Sequence, residues 1–292
     1  MIARKCQSLS ISICESISYR VTMMKGIGNN WHLIYQLLIK ELKVRYTSSF
    51  LGFLWVFISP FLIVGVFYLV FFRILKINIE GYPFFLYLMT GVFPWNFFQS
   101  SLISSTTSLW DNRNLIREVK LPHYVVPLSV IANNLINFLP SLFITIILSS
   151  LLLNGLSLYI LFLPFILFIH FLSVVGLSLI LSPLYLKYRD TKYVLEVLLS
   201  FIFYLTPVFY PLSLVKESFP LWLFRVYYLN PFVGILNLYR YTLLNGFYID
   251  ITREEKLLSL GIIPVIFTIF ILFLGLYYYR INKDKINDYL AY

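Results

Sequence analysis

Between Leu121 and Leu186 the chain carries no Asp, Glu, Lys or Arg. A helix built from those 66 residues would be about 99 Å long at about 1.5 Å per residue. The hydrocarbon core of a bilayer is about 30 Å thick, so a run this long must fold back on itself. Asn154-Gly155 is the turn signal inside it. The run is therefore predicted to form two membrane spans. Composition agrees: 60% of residues are hydrophobic and 12% charged, against roughly 25% charged in soluble domains. A net charge of +10 could point to nucleic acid, but the basic residues are scattered between apolar runs. That arrangement fits topology signals and contacts to anionic lipid instead, and no nucleic-acid partner is expected.

Four further stretches complete an all-α integral membrane fold with six predicted spans. The first is Tyr46 to Phe72, with Pro60 as a kink, and the second is Gly81 to Trp110, broken near Pro94. The fifth runs from Tyr193 to Tyr210 and the sixth from Leu257 to Tyr279. Of the Lys and Arg residues, 16 fall on the side holding both termini and the two basic islands, and seven on the other. The positive-inside rule then places both termini in the cytoplasm. Residues 1–30 read as a polar, poorly ordered extension without a signal-peptide core; Met23 and Met24 are alternative starts, and Cys6 and Cys14 form no metal spacing. Residues 31–46 read as a basic amphipathic interface helix, 47–285 as the transmembrane domain, and 286–292 as a charged cytoplasmic tail. Pro211 to Lys256 lies on the outer side yet holds apolar runs at Leu221 to Phe224 and Phe232 to Tyr239, separated by Asn230-Pro231. Runs too short to span are best explained as re-entrant or interfacial helices.

Chemistry is sparse. The sequence has no Gly-Lys pair, hence no P-loop of its own, and His32, His123 and His170 are isolated from one another. No metal site, nucleophile–base pair or catalytic residue is expected. His170 falls mid-span, where a helix–helix hydrogen bond is the expected role. The first basic island, Asn112 to Pro122, sits between two uncharged runs. Asn112 and Asn114 can cap a short helix, Leu115, Ile116 and Val119 give it an apolar stripe, and Pro122 ends it. On its residues alone the island is either an ordinary loop or a docking helix for a soluble partner.

Five stretches occur in an order that resembles bacterial polysaccharide-export ABC permeases, the membrane subunits that export O-antigen, capsule or teichoic acid chains. They are Arg45-Tyr-Thr-Ser-Ser-Phe-Leu-Gly-Phe-Leu-Trp55, Gly91-Val-Phe-Pro-Trp-Asn-Phe-Phe98, Asn114-Leu-Ile-Arg-Glu-Val-Lys-Leu-Pro122, Tyr188-Arg-Asp190 and Asn230-Pro231. The resemblance covers about residues 31–285. It implies a homodimer of six-helix subunits, each paired with an ABC ATPase chain that holds the ATP and Mg, with no cofactor on this chain. It implies that Asn114, Leu115, Ile116, Arg117, Val119, Lys120 and Pro122 couple to that ATPase. Trp31, Lys40, Lys43, Arg45, Arg189 and Asp190 would form the cytoplasmic interface, and Pro211 to Gly246 the re-entrant gate. It also implies that spans one and five line the path of a lipid-linked polysaccharide, which makes Trp55, Phe61, Tyr68, Phe201, Tyr204 and Tyr210 conduit candidates. Pro60 and Pro207 would break those helices and free carbonyls toward a wet interior. A drug or small-lipid exporter of the same fold is an alternative. A membrane-embedded glycosyl- or acyltransferase is another, but it would show a cluster of Asp, Glu, His or Arg at one membrane face. An ion-coupled flippase would need ionisable groups at mid-membrane.

Overall fold

The computed structural model describes residues 35–40, 54–79, 81–119, 122–153, 155, 158–246 and 261–291. Among the described residues there is no strand, and residues 35–40 are helical. Helix α1 (Leu54–Phe67) continues as a π-helical stretch, Tyr68–Ile74. There the Leu75 N–H donates to the Val70 carbonyl at 2.9 Å, five residues back. Helix α2 (Phe84–Asp111) is followed by the short α3 (Arg113–Val119) and then by α4 (Val125–Leu152). A 3₁₀ turn, Leu158–Phe162, leads into α5 (Leu163–Lys187). Helix α6 (Thr191–Leu205), three short helices α7 (Leu212–Ser218), α8 (Leu221–Tyr228) and α9 (Pro231–Leu243), and α10 (Ile263–Ala291) complete the order.

By length and composition, three described helices can cross a membrane: Val125–Leu152, Leu158–Lys187 and Ile263–Ile286. The protein is a multi-pass membrane protein. Freedom from charge is not the same as being apolar, and this separates the three from the other expected spans. Helix α2 has 28 residues, but Asn96, Gln99 and the Ser/Thr-rich stretch from Ser100 to Ser108 lower its hydropathy. Helix α6 has only 15 residues, about 22 Å. The apolar stretch Ile58–Ile74 is likewise short.

The expected break at Pro94 is absent, α2 running through it, and Pro60 does not end α1. In α2 every residue from Leu86 to Trp95 is buried, so packing on all sides carries the turn that lacks one backbone hydrogen bond. The predicted turn at Asn154-Gly155 is present where described: Gly155 has φ 127°, and its N–H donates to Ser150 O at 2.9 Å. Asn245, just past α9, clasps this corner by donating to Gly155 O at 3.2 Å.

Packing builds one main core around α2 and two smaller cores at opposite ends. Helices α5 and α10 cross with backbones in contact. A Cβ on Gly275 would overlap the Gly176 carbonyl, and one on Gly176 would lie 2.8 Å from Ile271 O. Small residues at a crossing give membrane helices this close approach. His170 of α5 is buried and meets the Tyr239 hydroxyl of α9 through Nδ1 at 3.2 Å, the helix–helix contact its position suggested.

Candidate functional site

The end of the molecule that gathers both basic islands is the candidate partner-docking face. Asn112 ends α2: its backbone N–H donates to Ser108 O, and its side-chain Nδ2 donates to the same carbonyl at 3.0 Å. Its Oδ1 accepts from Lys40 Nζ at 2.9 Å, tying the 35–40 helical segment to the corner. Asn112 was expected to cap α3 with its side chain. Instead only its carbonyl enters α3, accepting from Ile116 N at 3.0 Å.

Trp110 joins the two islands. The Arg113 guanidinium carbon lies 4.4 Å from the indole centroid and that of Arg189 3.3 Å from it. Arg189 also reaches the Tyr185 ring at 5.4 Å. Such contacts contribute about 0.5–1 kcal/mol each when exposed and about 2 when desolvated. Asp190 stands at the start of α6 without a side-chain cap, and its carbonyl accepts from Val194 N at 3.0 Å. The nearby Lys192–Glu196 pair, 3.9 Å apart, is exposed and contributes little.

The apolar stripe of α3 faces inward. Leu115 and Ile116 are 7% and 4% exposed. They share an apolar cluster with Leu37, Leu109, Val125, Leu186, Ile286 and Leu290. The residues alone left this stripe between a plain loop and a docking helix, and the resemblance implied a partner; within the chain, the Leu115–Ile116 pair lies in the end core. Among the described side chains of α3, Asn114, Arg117 and Glu118 are exposed. Pro122 stands beyond the helix, its carbonyl accepting from Val125 N at 3.0 Å as α4 begins. Trp31, Lys43, Arg45 and Lys120 lie outside the described residues, as does the side chain of Val119.

The conduit candidates divide. Trp55, Phe201 and Tyr204 are exposed, on α1 and α6 faces that also expose Leu62, Val66, Val197 and Leu198. Phe61 packs on Phe93 at 5.1 Å between centroids, and Tyr68 stacks on Phe72 at 4.8 Å, both within the chain. The Tyr210 hydroxyl donates to Tyr204 O at 2.8 Å and lies 2.6 Å from that of Tyr227. Pro207 does not interrupt α6, which ends at Leu205.

The carbonyls of the turn that follows α6 are bonded within the chain. Pro207 O and Val208 O both accept from Arg240 Nη2, the latter at 3.0 Å. Arg240 is fully buried on α9, with its guanidinium 3.8 Å from the Tyr87 centroid and Nη1 3.4 Å from Asn237 Oδ1. Tyr87 in turn donates to Tyr210 O at 2.9 Å. Sequence reasoning missed this knot and counted Arg240 only among the seven basic residues of the outer side. The available signal was a lone Arg, three residues after Asn237, inside an otherwise apolar helix.

Among the described residues the chain is an all-helical membrane protein with a basic, aromatic-clasped end. The profile of the ABC-2 type transporter family matches residues 32–244. The chain belongs to this family, whose permeases work with an ABC ATPase partner. Among curated relatives, an O-antigen export system permease protein RfbA from Myxococcus xanthus is 33% identical over 208 residues, covering 71% of this chain and 78% of that protein. An O-antigen export system permease protein RfbA from Klebsiella pneumoniae is 30% identical over 227 residues, covering 77% of this chain and 85% of the relative.

Proposed function

We propose that this chain is the permease subunit of an ABC exporter that moves a lipid-linked polysaccharide outward across the cytoplasmic membrane. ATP and Mg are held by a separate ATPase chain. The observation that carries this reading is the similarity, over most of both chains, to permeases named for O-antigen export. Deleting the gene should remove surface polysaccharide and leave lipid-linked polymer inside, with restoration by this chain. Unchanged surface polymer with altered drug tolerance would favour the small-molecule exporter instead.

The same reading has six crossings: α1 with its π-helical extension, α2, α4, α5, α6 and α10. Clustering of Leu37, Leu109, Leu115, Val125, Leu186 and Ile286 in one end core supports this even count. The 16-to-7 division of Lys and Arg assigns that end to the cytoplasm. On the other side, Asn230 Oδ1 caps α9 by accepting from Phe232 N at 3.0 Å, and α7 to α9 are the re-entrant elements. The ATPase docks on the exposed residues of α3. Exchanging the charges of Arg117 and Glu118 should weaken ATPase co-purification while leaving membrane insertion unchanged. A second copy of the chain covers the exposed apolar faces of α1 and α6.

A further inference from the structure

We propose that the last two turns of α10 are the brace that holds α3 in place, with Ile286 and Leu290 as its positioning residues. The inference rests on α3 being the ATPase contact.

After Tyr279 the sequence of α10 turns polar, yet the helix continues without a break to Ala291. Arg280, Lys283, Lys285 and Asp288 are exposed in this extension, whereas Ile286 and Leu290 are 0% and 1% exposed. Residues four apart lie on one helix face. The extension thus keeps a single apolar stripe, and that stripe lies in the cluster that buries Leu115 and Ile116. Helix α3 has seven residues and no acidic residue in its first turn. A helix that short has no stability of its own, so its position is set by what it packs against. The other end of the lever is fixed. Eleven residues before Ile286, about 16 Å along the helix, Gly275 locks α10 against Gly176 of α5. A partner pressing on α3 therefore bears on a rigid rod anchored in the bundle.

The test uses the permease–ATPase complex in lipid vesicles and compares I286D/L290D with the conservative I286L/L290M. Hydrogen exchange should speed up at residues 113–119 in the first variant, with α4 and α5 unchanged. Export per ATP hydrolysed should fall about tenfold or more, within the usual range of coupling between sites. The conservative variant should restore both. Unchanged exchange at 113–119 together with normal export would overturn the brace. So would a loss of export that merely follows loss of assembled complex. The docking reading fails separately: if R117E/E118R still binds the ATPase normally, α3 is not the contact, whatever Ile286 does.

Discussion

Arg240 must satisfy a planar fork of N–H donors with no carboxylate paired to it among the described residues. Two carbonyls and one amide oxygen take the terminal nitrogens and one aromatic face lies against the plane, while Nε is buried without a hydrogen-bond partner. Lysine cannot reproduce a fork that meets several acceptors at once. Arg240→Lys should therefore lower the melting temperature of the purified protein, and Arg240→Met should lower it further. In the methionine variant the two carbonyls lose their donor, at about 1–3 kcal/mol for each buried unsatisfied group. Gly91 is part of the same knot: a Cβ there would overlap Val208 O and come within 3.0 Å of Arg240 Nη2. The obstacle is backbone, which cannot rotate away. Gly91→Ala should cost about 1–3 kcal/mol, read as a lower thermal midpoint in detergent. The acceptors for Arg240 are mainly main-chain groups, which every residue carries, so nothing in the identities of Pro207 and Val208 advertises the partnership.

At the scale of elements, the helices and the turn at Gly155 were legible because an uncharged run longer than a bilayer has few ways to fold. The break between α8 and α9 was legible because Asn230-Pro231 pairs a capping oxygen with a residue that needs no donor. The facing of α3 was not. A short amphipathic helix at a membrane surface shows an apolar stripe, but its sequence does not say which of two apolar surfaces will cover it. Here the cover is an end core drawn from residues as far apart in the chain as Leu37, Val125, Leu186 and Ile286. The break expected at Pro94 failed for a related reason, since packing on neighbouring helices supports that turn. The α5–α10 crossing gives a prediction at this scale. Gly176→Leu should push the two backbones apart and reduce the amount of folded protein in the membrane. The same change at Gly155, where a Cβ would meet open space, should act only through its positive φ and cost less.

For the whole molecule, the exposed aromatics of α6 give a test that separates packing from transport. Tyr204 is 64% exposed, so Tyr204→Ala removes few contacts within the chain. It should leave the level of inserted protein nearly unchanged and slow export, measured as surface polysaccharide per inserted permease. A loss that only follows protein level would return Tyr204 to a packing role. Topology is tested with cysteines at Lys192 and Lys216, whose side chains are both accessible. An impermeant thiol reagent applied from outside should label position 216 and spare 192 in intact cells.

The Arg240 knot also bears on biogenesis. Tyr87, Pro207, Val208 and Asn237 all precede Arg240 in the chain. During synthesis the acceptors therefore leave the ribosome before the donor does. A cation held by a helix in lipid is expensive, and it becomes cheap only once neutral acceptors surround it. Helix α9 can settle only after α2 and the turn behind α6 are already in place. A nascent chain arrested just before Arg240 should hold that turn loosely. One released just after it should become resistant to protease at the same site.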